Sequence, residues 1–271
     1  MKGERVLTGE RVSKRQLAAH RHPDPGVKRF PFFDDEIILA SSSPRRSFLL
    51  GLVRIKHKVV VPRVREEDHA HEDPVKHVLR LAGLKAHSAR GRVKRGIILG
   101  ADTIVVMEGD ILGKPRNKRD AKRMLRRLSG QWHTVYTGLA VVDAANGMET
   151  MGYERSLVKI RKMTDVEIDA YIATGEPMDK AGSYGIQGYG AAIVEKVRGC
   201  YFNVVGLPLV KLLYLVRALK KTSERQAGAV GRGAAHRRLS GRSTRGGERK
   251  VGGARMGMRG ARRGDLGPSS R

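Results

Sequence analysis

Across residues 37–219 the chain alternates short runs of branched apolar residues with stretches of helical periodicity, and this alternation points to an α/β fold on a mixed sheet. Ile37–Ala40 reads as a short buried strand. Ser43 then takes a helix N-cap position with Pro44 at the first helical residue, and Phe48, Leu49 and Leu52 follow. Asp73 and Pro74 repeat that start signal and open a helix with Val75, Val78, Leu79 and Ala82 on one face. Residues 97–99 and 104–107 are strand-like, with a turn at Gly109-Asp110 before Ile111-Leu112. Asn117 caps a helix carrying Ala121, Met124, Leu125 and Leu128, closed by Gly130. Residues 135–142 and 153–160 flank Asn146-Gly147, a hairpin signal. Thr164 with Glu167 forms a capping box for a helix ending at Gly175. Residues 191–197 form another strand, and Pro208 opens a last amphipathic helix through Leu212, Leu215, Val216 and Leu219.

Charge divides the chain into three zones. Residues 221–271 hold 14 Lys/Arg against 3 Asp/Glu and are rich in Gly and Ser, a composition expected to form a disordered tail. Residues 1–35 form a polar, basic extension expected to be poorly ordered. Residues 36–220 form the folded domain, itself basic with 32 Lys/Arg against 19 Asp/Glu. A formal net charge of +27 suggests an anionic partner. The single cysteine, Cys200, excludes an internal disulfide and fits a reducing compartment. No apolar run reaches the length of a membrane span, and the N-terminus does not read as a secretory signal, so a cytoplasmic location without membrane attachment is expected. A homodimer is compatible with the sequence.

Four segments carry candidate chemistry. In Ser41-Ser42-Ser43-Pro44-Arg45-Arg46 a strand delivers the chain to a serine-rich turn and a helix whose first turn holds two arginines. Free N–H groups and partial positive charge suit phosphate there, while arginines oppose the helix dipole. A solvated basic turn would carry the same letters. Gly100-Ala101-Asp102-Thr103 follows an apolar run, so Asp102 is a strand carboxylate able to hold a metal or orient a water, or else a strand-end cap. Gly113-Lys114-Pro115 braces a lysine that can act as a point charge, although such tripeptides are common in turns. The run from Asp179 to Gly190 holds four glycines, which permit close approach of backbone to a ligand, and Gln187 offers donor and acceptor together. Its spacing is not that of a P-loop, and a flexible loop would read the same. Lys85 lies seven residues after Val78, on the side of the apolar stripe; it points toward the core or snorkels along it. Glu66 sits in the acidic stretch Arg65-Glu66-Glu67-Asp68. His57, His69, His71 and His77 have no zinc-like spacing with Cys200.

The order of these signals is more specific than any one of them. Ser-x-Ser-Pro-Arg-Arg, Gly-Ala-Asp-Thr, Gly-Lys-Pro, His133-Thr-Val-Tyr-Thr-Gly138 and the segment from Asp179-Lys-Ala-Gly to Gly206-Leu-Pro208 together resemble the Maf family over residues 37–219. The resemblance implies an elongated fold akin to the inosine-triphosphate pyrophosphatases, with a central nucleotide cleft. It implies hydrolysis of a nucleoside triphosphate to monophosphate and pyrophosphate with a divalent metal, Mg²⁺ or Mn²⁺. Asp102 matches the proton acceptor; Arg45, Thr103 and Gln187 match positions that set substrate choice; Arg46, Glu66, Lys85 and Lys114 match further positions lining the cleft. The form Tyr184-Gly-Ile-Gln-Gly188 looks like the branch acting on dTTP and UTP. A triphosphate carries roughly four negative charges, which Arg45, Arg46, Lys85 and Lys114 would offset, with Glu66 and Asp102 as oxygen ligands of the metal.

Two rival readings use the same letters. A nucleic-acid-binding protein could use the Arg/Gly tail, but that tail has no Tyr, Phe or Trp to stack on bases. The tail is nonetheless expected to bind polyanions weakly. A non-catalytic regulator of cell division is the third reading, and acidic residues intact at Glu66 and Asp102 argue against it.

Overall fold

The computed structural model describes residues 36–67 and 72–240, with side chains as far as Gln226. His69 and His71, Asp68, the N-terminal extension and residues 241–271 lie outside the described residues. In chain order the elements are β1 (Ile37–Ala40), α1 (Pro44–Leu52), β2 (His57–Val59), α2 (Pro74–Arg90), β3 (Ile97–Met107), β4 (Asp110–Leu112), α3 (Lys118–Leu128), β5 (Trp132–Asp143), β6 (Glu149–Ile160), α4 (Asp165–Ala173), β7 (Val194–Arg198), α5 (Tyr201–Val205) and α6 (Leu209–Ser240). Three 3₁₀ turns, Glu176–Asp179, Ala181–Ser183 and Gly188–Ala192, link α4 to β7. Contacts divide the chain after Arg225, and the account below concerns the part before it.

The expected α/β fold on a mixed sheet is present. Among the described residues seven strands form one sheet in the order β2-β1-β3-β5-β6-β7, with β4 paired to β3. β1 is parallel to both β2 and β3; every other pairing is antiparallel. The hairpin turn at Asn146-Gly147 joins β5 to β6. Helix starts follow their side chains. Asp73 accepts from the backbone N–H of Val75 and Lys76, Asn117 accepts from that of Asp120, and Thr164 with Glu167 makes both bonds of the capping box. Ser43 holds the N-cap position of α1 without a side-chain cap bond; instead its own N–H donates to Ser41 Oγ.

Two expectations change in detail. The runs at 97–99 and 104–107 are one strand, because Gly100–Thr103 stay paired with β5 between them. The strand expected at 191–197 begins only at Val194, after the 3₁₀ turn Gly188–Ala192. The last helix runs past Lys220, where apolar periodicity stops, to Ser240. Among the described residues no helix is long and apolar enough to cross a membrane.

β3 controls where a site can form. Along one edge it pairs with β5 from Ile97 to Val106. Along the other it pairs with β1 from Ile97 to Gly100 and with β4 from Val105 to Met107. Residues 101–104 therefore face an open edge, beside the carboxyl end of β1, where open α/β sheets place ligands. The core changes at the same point. Leu39, Leu99 and Leu139 pack with α1 and α6 on one face, and Ile38, Ile98 and Ala140 pack with Ala82 and Ala86 of α2 on the other. Beyond the gap, Val105 and Val135 join a separate cluster with α3 and α4.

Helix α2 sits directly on the sheet because two strand residues lack a Cβ. A Cβ on Gly100 would lie 2.1 Å from the Ala82 carbonyl oxygen, and one on Gly138 would lie 2.4 Å from that of Val78. Gly51, in α1, has nothing within 4 Å. Gly138→Ala must push α2 off β5 and should cost stability toward the upper end of about 1–3 kcal/mol, whereas Gly51→Ala should stay within about 1 kcal/mol of wild type. Urea unfolding of the two variants checks this; equal stabilities would remove the close approach as a constraint.

Candidate active site

The open edge of β3 leads into a cleft of about 1030 Å³. Arg45, Arg46, Glu66, Lys85, Asp102, Thr103, Lys114 and Gln187 all line it, so the residues singled out in the sequence come together. Strand alternation sends Asp102 to the α2 face of the sheet and Thr103 to the α1 face. Each meets a cation there.

On the α2 face, Lys85 is 7% exposed and Asp102 is 6% exposed. The Lys85 ammonium donates to Asp102 Oδ1 at 2.6 Å and pairs with Glu66 Oε1 at 2.9 Å. The lysine is therefore buried against the sheet. Gly138, directly opposite Asp102 on β5, leaves α2 near enough for this contact. Asp102 Oδ2 and Glu66 Oε2 have no partner among the described residues. Glu72 and His77 also line the cleft. Arg80 grips Glu72 through two nitrogens, at 2.7 and 2.6 Å, and His77 Nδ1 bonds it at 2.9 Å. Those hydrogen bonds, Arg80's above all, hold the Glu72 carboxyl pKa down at about 2.

On the α1 face, Arg46 is buried and acts as a clamp. Its Nε donates to the Gly206 carbonyl at 2.9 Å, Nη1 to Ser41 Oγ at 2.9 Å and Nη2 to Thr103 Oγ1 at 3.0 Å. It thereby ties the end of β1, the open edge of β3 and the turn after α5 together. Burial pushes its pKa below the ordinary value, against the pull of Asp102. Thr103 Oγ1 continues to Thr137 Oγ1 at 2.9 Å, and Thr137 donates to the Asn203 carbonyl at 3.0 Å. The arginine pair thus splits its work: Arg46 organises the floor, while half-buried Arg45 reaches across to Asp179 at 3.1 Å.

The far wall is the Gly-rich segment. Lys180 bonds Asp179 Oδ1 and the Glu176 carbonyl, both at 2.6 Å. Lys114 is exposed, in a loop tied down where Gly182 N–H donates to the Gly113 carbonyl at 3.0 Å. Gln187 is half-buried and its side chain caps nothing. Behind the wall, His133 Nε2 lies 2.7 Å from the Tyr184 hydroxyl and the rings meet edge to face. Sequence reading missed Ser41, Glu72, His77, Lys180 and Tyr184 as cleft residues. Ser41, Lys180 and Tyr184 had a signal, since each lies in one of the motifs, Ser41-Ser42-Ser43-Pro44-Arg45-Arg46, Asp179-Lys180-Ala181-Gly182 and Tyr184-Gly-Ile-Gln-Gly188; Glu72 and His77 had none.

Among the described residues no group of three or more His, Cys, Asp or Glu side chains is arranged to hold a metal ion. His57 instead bonds Ser47 Oγ at 2.7 Å and the Ile55 carbonyl at 3.0 Å.

A cleft with two carboxylates on its floor, ringed by Arg45, Lys114 and Lys180 in a mixed α/β domain, suits a small polyanion. The chain belongs to the Maf-like protein family, whose model matches residues 36–219. Similar proteins include the dTTP/UTP pyrophosphatase of Dictyoglomus thermophilum, 49% identical over 185 residues, covering 68% of this chain and 96% of that one. The dTTP/UTP pyrophosphatase of Alkaliphilus metalliredigens is 50% identical over 179 residues, covering 66% and 93%. Among solved structures, the Staphylococcus aureus Ham1 protein matches at a TM-score of 0.37 with 13% identity, covering 59% of this chain and 79% of that one, a likeness too slight to build on.

His133 is 3% exposed, and burial holds its pKa down at about 4, below an ordinary 6.5. Between those values the unfolded chain binds the proton and the folded protein does not. Stability should therefore fall as pH drops from about 6.5 toward 4, by up to about 1.4 kcal/mol per unit from this group. His133→Gln should flatten that part of the acid limb in thermal unfolding scans; an unchanged slope would exclude His133 as its source.

Proposed function

We propose that this chain is a nucleoside triphosphate pyrophosphatase that hydrolyses dTTP and UTP to the monophosphate and pyrophosphate. One observation carries the reading: Asp102, Lys85 and Glu66 share a cleft with Arg45, Lys114 and Gln187. The names of the relatives support the same substrates. The triphosphate would lie among Arg45, Lys85 and Lys114. Arg46 would reach it only with the N–H groups that its three bonds leave over. Asp102 Oδ1 is held by Lys85, which leaves Oδ2 to accept a proton from an attacking water or, with a metal bound, to hold the metal that orients that water. In this reading, taken from the family resemblance, attack falls at the α-phosphorus. Burial keeps bulk water from Asp102 and Lys85 and strengthens their contact, while Glu66 stands half exposed beside them.

A divalent cation fits the donor set. Mg²⁺ commonly takes one or two carboxylates and leaves its remaining positions to water and substrate phosphates, and Asp102 Oδ2 with Glu66 Oε2 supply such a pair. Bound there, Mg²⁺ or Mn²⁺ would neutralise phosphate charge and polarise phosphate oxygens. We further propose a cytoplasmic location, residues 36–220 as the catalytic domain, and weak polyanion binding by residues beyond 220. A homodimer is compatible with this reading.

Asp102→Asn keeps the size of the side chain and removes its charge and basicity. Turnover should fall by about two to four orders of magnitude, and the variant should stay folded but lose stability, by about 1–3 kcal/mol, because Lys85 keeps only Glu66 as an anionic partner. A folded variant with normal turnover would take Asp102 out of the mechanism.

Gln187 presents an amide donor and acceptor, which match the adjacent carbonyl and N–H of a uracil or thymine edge. A phosphate-release assay coupled to inorganic pyrophosphatase, run over a nucleotide panel, should show dTTP and UTP hydrolysed far faster than ATP or GTP. Faster turnover of purine nucleotides would sink the substrate assignment.

A further inference from the structure

Gln187 stands on a loop that Ile186 anchors to the core on one side and that turns out to solvent on the other. Gly188 and Tyr189 are exposed, and the Tyr189 ring is 68% exposed. What closes the loop is one carboxylate. Glu176 Oε1 accepts from the Gly190 N–H at 3.0 Å and from the Tyr171 hydroxyl at 2.8 Å. Glu176 Oε2 accepts from the Tyr189 N–H at 2.9 Å. The Tyr171 hydroxyl in turn accepts from the Gly185 N–H at 3.1 Å. The carboxylate and the phenol thus grip the loop on both sides of Gln187, at Gly185 and at Tyr189-Gly190. The fit leaves no slack: a Cβ on Gly188 would lie 2.3 Å from Glu176 Oε2, and one on Gly190 would lie 1.7 Å from the Gly185 carbonyl oxygen. Burial raises the pKa of the Tyr171 phenol, so it stays a donor through the neutral range.

Glu176 is anchored from the other side as well. Its carbonyl takes the Lys180 ammonium, which also bonds Asp179, and Asp179 meets Arg45. The loop is therefore tied through Glu176 to the helix that carries the cleft's first arginine.

We propose that Glu176 is a positioning residue for base recognition, its carboxylate fixing where Gln187 stands over the cleft. The proposal rests on the reading of the cleft as a nucleotide site. Glu176 lines neither the floor nor the carboxylate pair, so its loss disturbs where the base sits more than it disturbs the reacting phosphates. A glutamine in its place has one accepting oxygen, and its NH₂ faces a backbone N–H that is already a donor.

Two measurements on Glu176→Gln test this. In the protein without nucleotide, hydrogen exchange of the Tyr189 and Gly190 amides should speed by about ten-fold or more. In steady-state assays, KM for dTTP should rise about ten-fold with kcat changed by less than about three-fold, and the preference for dTTP over dGTP in kcat/KM should shrink by a similar factor. Glu176→Asp keeps the charge and should recover part of the preference. Tyr171→Phe removes the hydroxyl's bonds to Glu176 and to Gly185 but leaves the carboxylate on the Tyr189 and Gly190 amides; it should show the same pattern in smaller degree, which keeps the test open should Glu176→Gln fail to fold. Unchanged base preference in a folded variant, or a loss of kcat at constant KM, would overturn the proposal. A wild-type protein that turns over no nucleoside triphosphate would instead overturn the reading of the cleft. The clamp then stands or falls on amide exchange alone, and unchanged protection at Tyr189 and Gly190 would end it.

Discussion

The close seating of α2 on the sheet is the contact on which the cleft depends. At Gly100 and Gly138 the helix backbone comes within reach of the strand backbone, with no side chain between. That approach brings Lys85, one turn beyond Leu81 on the cleft-facing side of α2, down onto Asp102. A buried lysine and a buried aspartate each lose hydration that neither could forgo alone, and their mutual contact with Glu66 offsets much of the loss. The cluster sets two carboxylates against one ammonium, in a cleft whose remaining charged lining is Arg45, Arg46, Lys114 and Lys180 with Glu72, Asp110 and Asp179. Without the two glycines, the helix would ride higher and the lysine would have water as its partner.

The same strand serves both faces. Between Gly100 and Val105, β3 has a neighbour on one side only, so Asp102 and Thr103 sit at a break in the sheet while still held by β5. Asp102 answers to α2, and Thr103 to Arg46 of α1. This explains a pair of arginines in a first helical turn, where the dipole disfavours them. Arg46 is worth its position because three acceptors from three separate segments converge on it.

Much of this was legible in the chain, for reasons that differ by residue. Caps and turns are local, so Asp73, Asn117, Thr164 with Glu167, and Asn146-Gly147 declared their elements directly. Asp102, Lys85 and Gln187 were readable as cleft residues through the order of five motifs and the resemblance they carry. Burial of Lys85 against an acid was half visible in its place on an apolar stripe. Arg46 as a clamp was not, since Gly206 lies 160 residues further along. Nor was Glu176, whose partners at Tyr171, Tyr189 and Gly190 are brought together only by 3₁₀ turns that no periodicity announces. His133 facing Tyr184 is likewise a tertiary contact, with nothing in the local sequence to mark it. The short β2 and α5 have too few residues to show a period at all.

The three strands β3, β5 and β6 run for 11, 12 and 12 residues without a break, β3 and β5 through both core regions. At a rise of roughly 3.3 Å per residue each is a beam approaching 40 Å long, cross-braced to its neighbour by a continuous ladder. Bending such a set of beams at Asp102 would rupture the ladder between β3 and β5. The strand that carries Asp102 and Thr103 is accordingly stiff, and the two keep their spacing whether or not the cleft is filled. Adaptation to different occupants is left to the rim, where single side chains hold short turns in place.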